Sequence, residues 1–226
     1  MSVSNNSSII PLKVWAKIYT GGKGKKSCYL NQLIIGTGNI KIPSTTAIFN
    51  MSSATDCPSK RLGLCKAEKQ GCKCYAIKSE YNYRPYVLPF RRQQEAYWKE
   101  VNAFEFVSQF LLLNAMKEKP FNALRLNESG DFHSQECVTK AESIALILRR
   151  FGIVTYCYTS RSDLDFSKVK HLVISGSGFQ KKGITNEFKI VFDISERPKG
   201  YGVCKGNCKI CKRCSIRGMK TVVKKH

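Results

Sequence analysis

The chain has 226 residues, 42% of them hydrophobic, and carries 38 Lys and Arg against 16 Asp and Glu, for a net charge of +22. The polar start, Met1-Ser-Val-Ser-Asn-Asn-Ser-Ser8, has neither the cationic region nor the apolar stretch of a secretory leader, and the longest apolar run, around Phe110-Leu-Leu-Leu113, is too short to span a bilayer. A soluble protein of a reducing cytoplasm is therefore expected, with no membrane partner, and eight of its eleven cysteines, in two groups of four, read as metal ligands rather than as a disulfide framework.

In chain order, residues 1–10 read as disordered. Lys13-Val-Trp-Ala-Lys-Ile-Tyr19 alternates polar and apolar as a strand does, and Gly21-Gly-Lys-Gly-Lys-Lys26 punctuates it. Thr46-Ala-Ile-Phe-Asn-Met51 is predicted as a short buried strand that runs directly into a loop holding Cys57, Cys65, Cys72 and Cys74. Beyond the loop, Tyr97, Val101, Phe104 and Val107 recur at helical spacing, predicting one long helix over residues 92–117 that Pro120 ends.

The second half is more regular. Ala123-Leu-Arg-Leu-Asn127 is a strand, followed by a loop over residues 128–132. Ser134 then caps a helix that runs to Phe151, with Arg149 and Arg150 in its last turn and Gly152 as its stop. Residues 153–158 form the next strand, with 159–162 as its exit. A short helix over 163–169, a strand over 171–174, the loop Ser175-Gly-Ser-Gly178 and a strand over 188–193 complete the pattern. Apolar strands alternating with helices imply parallel βαβ units, and the fold class is α/β, an open or partial (β/α) barrel of parallel strands with a cysteine-rich C-terminal extension. The domain reading is an N-terminal segment with β-hairpin-like strands over 1–45, the partial barrel with its cysteine loop over 46–198 and a basic, cysteine-rich tail over 199–226 packing on it.

Ligands of such folds collect where the βα loops converge at the strand C-termini. The cysteine loop, the Asn127-Glu-Ser-Gly-Asp131 turn, Thr159-Ser-Arg161 and Ser175-Gly-Ser177 all fall at that edge. A second group of thiols, Cys204, Cys208, Cys211 and Cys214, spans eleven residues near the C-terminus. Thiolates are soft ligands for zinc or iron–sulfur clusters. The dense spacing of this group resembles ferredoxin cluster loops more than zinc ribbons, so a [4Fe–4S] cluster is the expected occupant and zinc the alternative at this C-terminal site. No acidic residue follows Glu196, whereas nine Lys and Arg lie from Lys199 onward. Such a surface suits nucleic acid, and equally suits a solvated tail that offsets thiolate charge.

The combination resembles a known group. A cysteine loop after the first strand of a partial barrel, with a Glu beyond the second, is similar to the radical S-adenosylmethionine (radical SAM) superfamily. More narrowly, the four loop cysteines with Cys74-Tyr-Ala76, Leu126-Asn-Glu-Ser-Gly-Asp-Phe132, Tyr158-Thr-Ser160 and the terminal cysteines resemble the phage-encoded gene-product-88 family, over roughly residues 46–214.

The resemblance implies that three of Cys57, Cys65, Cys72 and Cys74 hold a [4Fe–4S] cluster, giving one or two clusters in all. It also implies that Glu128 receives the ammonium group of S-adenosylmethionine, that Ser160, Ser175 and Ser177 bond its carboxylate or ribose, and that a reductant protein supplies the electron in the host cytoplasm. The chain departs from the superfamily's CxxxCxxC spacing, having Cx7Cx6CxC instead. If all four loop thiols bind, the cluster is saturated and structural; if one is free, an open position exists.

Cys137 and Cys157 read as core side chains, and Cys28 is unassigned. His133 reads as a loop hydrogen-bonder, Asp131 as a turn stabiliser or the partner of Glu128 in a carboxylate pair, and Arg161 as a carboxylate or phosphate grip or the partner of a neighbouring acid. Two functions are expected: a radical SAM-like enzyme acting on a nucleic acid or nucleotide, or a non-catalytic protein stabilised by iron–sulfur or zinc that binds nucleic acid or protein.

Overall fold

The computed structural model describes the backbone of residues 18–19 and, in full, residues 32–65, 69, 71, 74–83 and 85–225. Residues 1–17 with most of the Lys13–Tyr19 strand, the Gly21–Lys26 punctuation, Cys28 and Cys72 lie outside the described residues.

Among the described residues nine strands form one open, mostly parallel sheet. They are β1 (Ile18–Tyr19), β2 (Ile35–Thr37), β3 (Thr46–Phe49), β4 (Ala123–Leu126), β5 (Val154–Thr159), β6 (Val173–Ser177), β7 (Asn186–Val191), β8 (Gly202–Val203) and β9 (Lys220–Lys224). Their spatial order is β1-β2-β3-β4-β5-β6-β7-β9-β8, and the sheet does not close on itself. Strands β3 to β7 are mutually parallel and in sequence order, as the alternation of apolar runs with helical segments implies. The β2–β3 pair is antiparallel.

The helices among the described residues are α1 (Pro58–Arg61), α2 (Tyr75–Asn82), α3 (Val87–Glu100), α4 (Ala103–Ala115), α5 (Gln135–Arg149) and α6 (Cys208–Cys211). One face of the sheet, presenting Ala47, Phe49, Leu124, Leu126, Cys157 and Ile174, packs against the apolar sides of α3, α4 and α5. Phe49 anchors this layer edge-on to Phe106, with ring centroids 5.0 Å apart. Side chains alternate across a strand, so Ala123, Tyr156 and Val173 point the other way, where Cys214 of the C-terminal tail packs on them. Both faces of the central strands are thus covered, one by helices and one by the tail.

Several expectations change. The helix predicted over 92–117 is two helices, beginning at Val87 and broken at Val101 and Asn102. The break is a capping box: the Asn102 side chain accepts from the Glu105 N–H at 3.0 Å, and the Glu105 carboxylate accepts from the Asn102 N–H at 3.0 Å. Residues 163–169 form turns, not a helix. There the Arg161 guanidinium is held by Asp163, and the Asp165 carboxylate takes the Ser167 N–H, so local side chains supply partners that a helix would otherwise provide.

Ser175, Gly176 and Ser177 belong to β6 rather than to a loop, because β5 and β7 pair with them on both sides. The predicted strand over 188–193 begins two residues earlier, at Asn186. The tail is also more than an appendage: β9 pairs with β7 and carries β8 outside it.

Ser134 occupies the N-cap of α5 and Gly152, at φ +72°, ends the turn after it, as expected, although the Ser134 hydroxyl is directed at the Cys137 sulfur instead of a helical N–H. Asn102→Ala should cost about 1 kcal/mol by removing the cap between α3 and α4. The check is thermal unfolding, with an expected drop of about 2–4 °C for a chain of this size.

Candidate functional site

At the C-terminal edge of β3 and β4 the first cysteine loop is held down by buried polar groups. Asn127 continues the strand pairing beyond β4: its N–H donates to the Phe49 carbonyl at 2.8 Å and its side-chain oxygen accepts from the Met51 N–H at 3.0 Å, with φ at +59°, a conformation Asn tolerates. Gly130 follows at φ +75°, and a Cβ there would lie 2.0 Å from Ser52 Oγ, so only glycine lets this turn rest on the loop.

Two carboxylates complete the fastening. Glu80 of α2 accepts from the N–H groups of Ala54 and Thr55, the Thr55 hydroxyl, Ser129 Oγ and Arg91, the last at 2.8 Å with both side chains no more than 5% exposed. Asp131 accepts from Ser59 Oγ at 2.6 Å, Thr159 Oγ1 at 2.7 Å and the N–H groups of Ser160 and Phe132. Asn50 and Gln94 add a third tie, with Asn50 accepting from the Ser129 N–H and donating to Gln94.

The predicted site residues are brought to this region in different roles. Glu128 is partly exposed. It accepts from Asn39 Nδ2 at 2.7 Å and lies 3.9 Å from Arg91, and the Tyr75 hydroxyl donates to its carbonyl. Glu128 and Asp131 therefore sit in separate networks and form no carboxylate pair. Ser160 bonds Asp131 through its backbone N–H. Ser175 is buried and Ser177 half-buried, both in β6, on the face that carries Tyr156 and Tyr158.

His133 bonds the Met51 carbonyl at 2.8 Å and lies 3.4 Å from Glu95. Arg161 is spent on Asp163 and on the carbonyls of Phe132 and His133. Cys157 is a core residue, and Cys137 packs beside Trp98, whose Nε1–H donates to its sulfur.

Cys57 and Cys74 stand at the N-caps of α1 and α2, and the Cys65 N–H bonds the Ser59 carbonyl. Burial, then the charges of Asp131 and Cys65, push the Cys57 thiol up to about 12. The thiol is thus protonated at neutral pH unless a cation draws its proton off.

The terminal thiols lie elsewhere, on the sheet face opposite the helices. Cys204, Cys208, Cys211 and Cys214 all line a cleft of about 360 Å³ floored by Arg125, Tyr156 and Tyr158. The segment is pinned by backbone bonds from Cys204 N to Val222 O and from Cys208 N to Lys41 O, and by Asn186, which donates to the Ile216 carbonyl at 2.8 Å. Lys212 takes a left-handed turn, φ +47°, between Cys211 and Cys214. Burial raises the Cys208 and Cys214 thiols, and neighbouring thiols add to it while Arg125 opposes it.

The donor set fits a soft metal in kind, since four thiols open on one cleft. Among the described residues, however, no three His, Cys, Asp or Glu side chains converge as a metal-holding group, and all nine described cysteines are free of disulfides. Closing the terminal thiols on an ion takes local rearrangement of residues 204–214.

One connection was invisible in the chain order. Tyr75, next to Cys74, reaches across the strand ends so that Arg125 Nη2 donates to its hydroxyl at 3.4 Å; Arg125 lies over the Tyr158 ring at 5.4 Å, and the Tyr158 hydroxyl donates to Cys214. The two thiol-bearing segments are therefore joined through three side chains. The Tyr75-Ala76 pair adjoining Cys74 was the available sequence signal, but its reach to Arg125 is a long-range contact.

A family description, gene product 88, matches residues 21–182. The chain belongs to the gene product 88 family. That membership supports a phage origin and covers the first cysteine loop, the Glu128 turn and β3 to β6. It stops before β7, so the terminal cysteine segment lies outside the matched stretch and the extent of the resemblance is corrected accordingly. No curated protein and no solved structure matches the chain. Among the described residues no helix is long and apolar enough to cross a membrane.

Burial opposes the Glu80 charge, but the Ala54 N–H, Arg91 and Thr55 outweigh it and hold the carboxyl below its ordinary 4.5. A folded-state value below the unfolded one gives stability that is complete above about pH 4.5 and is lost as pH falls through the lowered value. Glu80→Gln should cost about 3 kcal/mol by leaving Arg91 buried without its partner. It should also flatten the acid limb of the stability profile, as measured by urea unfolding at a series of pH values.

Proposed function

We propose that the protein is an iron–sulfur protein of radical SAM-like type, acting in the host cytoplasm on a nucleic acid or nucleotide. Three of Cys57, Cys65, Cys72 and Cys74 would supply the ligands of a first [4Fe–4S] centre and leave one iron open to S-adenosylmethionine, and Cys204, Cys208, Cys211 and Cys214 would supply those of a second. What supports this most directly is the linkage of the two thiol segments through Tyr75, Arg125 and Tyr158. The first loop also stands at the C-terminal edge of a parallel sheet, where α/β folds bind ligands.

In this reading Glu128 offers a partly exposed carboxylate to the ammonium group of S-adenosylmethionine, while Ser160, Ser175 and Ser177 bond its carboxylate or ribose. When bound, the first centre supplies the electron for reductive cleavage of S-adenosylmethionine, which a reductant protein replenishes. The chain's own contribution is to hold the loop rigid through Glu80 and Asp131 and to keep the Cys57 thiol in a dry setting.

A second reading is favoured by one observation. The terminal segment covers the sheet face that an open barrel would use for substrate, so a non-catalytic, metal-stabilised protein that binds nucleic acid or protein is the alternative, with zinc at the terminal site.

Anaerobically prepared protein should be brown, carry about four to eight irons per chain and form 5′-deoxyadenosine when reduced with S-adenosylmethionine. Colourless protein with stoichiometric zinc selects the second reading instead. Cys211→Ala should lose the metal of the terminal site and loosen the tail, because metal binding and local folding are coupled; unchanged metal content removes Cys211 from the ligand set. Glu128→Gln should leave metal content intact and weaken S-adenosylmethionine about tenfold, and equal affinity in a titration removes its assigned role.

A further inference from the structure

The cleft beneath the terminal cysteines holds a feature that thiolate ligation leaves unexplained. Arg125 Nε and Arg213 Nε are both buried and both lack a hydrogen-bond partner, and both side chains line this cleft. Arginine donors are costly to leave unpaired, so both guanidiniums keep hydrogen-bonding capacity that no acceptor of the described residues meets.

Each guanidinium is also held in place. Arg125 lies over the Tyr158 ring and donates to the Tyr75 hydroxyl, while Arg213 lies so flat on Gly202 that a Cβ there would stand 2.6 Å from its guanidinium carbon. Lys209 and Lys212 complete the rim, and no Asp or Glu is among the lining residues. Four cationic side chains exceed the charge that a divalent ion on four thiolates leaves behind, so the cleft stays attractive to anions with its metal in place. Tyr156 and Tyr158 give the floor aromatic surface, and a volume of about 360 Å³ is within the range of small-ligand sites.

We propose that this cleft is a phosphate-binding site, in which the side chains of Arg125 and Arg213 grip the phosphate of a nucleotide or of a nucleic-acid backbone and the tyrosines meet its sugar and base. Planar guanidinium groups match phosphate geometry better than lysines do, and aromatic floors accept any base. The inference refines the nucleic-acid or nucleotide part of the reading above and does not depend on whether iron or zinc is bound.

The test is calorimetric titration of the purified full chain with inorganic phosphate, adenosine diphosphate and a short single-stranded oligothymidylate, with metal content measured on every sample. The wild type should bind at least one of the two organic probes, and inorganic phosphate should compete. Arg125→Gln and Arg213→Gln should each weaken that binding by about ten- to a hundredfold, with unchanged metal content. Lys117→Gln, a surface change on another face, should weaken it less than twofold.

Oligothymidylate binding alone identifies a nucleic-acid backbone as the source of the phosphate, and diphosphate binding alone a free nucleotide. The proposal is overturned if neither probe binds, if neither arginine change alters affinity, or if Lys117→Gln costs as much as Arg213→Gln, which would mean diffuse charge only. It is also overturned if the arginine variants lose metal together with the anion, because Arg125 and Arg213 would then be counter-charges to the thiolates. Wild-type metal content alone decides the fate of the metal reading, so the two failures are distinguishable.

Discussion

The Asp131 carboxylate is the constraint on which the arrangement rests. It is almost wholly buried, and four donors from three separate segments meet on its two oxygens: Ser59 from the cysteine loop, Thr159 and Ser160 from the end of β5, and Phe132 from its own turn. A buried carboxylate is tolerated only when its lone pairs are met, so these segments are bound to one geometry. Glu80 does the same for Ala54, Thr55 and Arg91 on the other side of the loop. The loop that brings Cys57 and Cys65 to the sheet edge thus owes its shape to hydrogen bonding with acids on a distant turn and a neighbouring helix, and little to local propensity.

Much of the scaffold was legible because it follows local rules. Ala123-Leu-Arg-Leu126 reads as a strand buried on both sides, Ser134 and Gly152 bracket a helix, and the alternation of such units implies a parallel sheet. The break at Asn102 was equally local, since Asn102-x-x-Glu105 is a capping signature, but the helical spacing of apolar residues continues across it and conceals it. Ser175-Gly-Ser177 has the composition of a loop and became a strand because paired neighbours on both sides overrode propensity. The basic Lys220-Thr-Val-Val-Lys224 gave no sign of lying within the sheet, for its partner β7 was needed to define it.

The candidate site was legible in its residue types and much less in their assembly. Thiols, the Glu128 turn and Asp131 announce themselves by chemistry and by their position after strands. Glu80, Gln94, Arg91 and Tyr75 do not, because each acts through a partner at least eleven residues away. Arg125 is the clearest case. In the sequence it is a polar interruption of an apolar strand; in the fold it joins the ring of Tyr158 to the hydroxyl of Tyr75 and opens on the tail cleft.

The place of β9 has a consequence for synthesis. It lies between β7 and β8, and β8, although earlier in the chain, pairs among the described residues only with β9. That border of the sheet therefore cannot zip up until residues 220–224 have been synthesised, and until then Cys204 has no Val222 carbonyl to dock on. The Cys204 end of the tail thus finds its place only after β9 has been made.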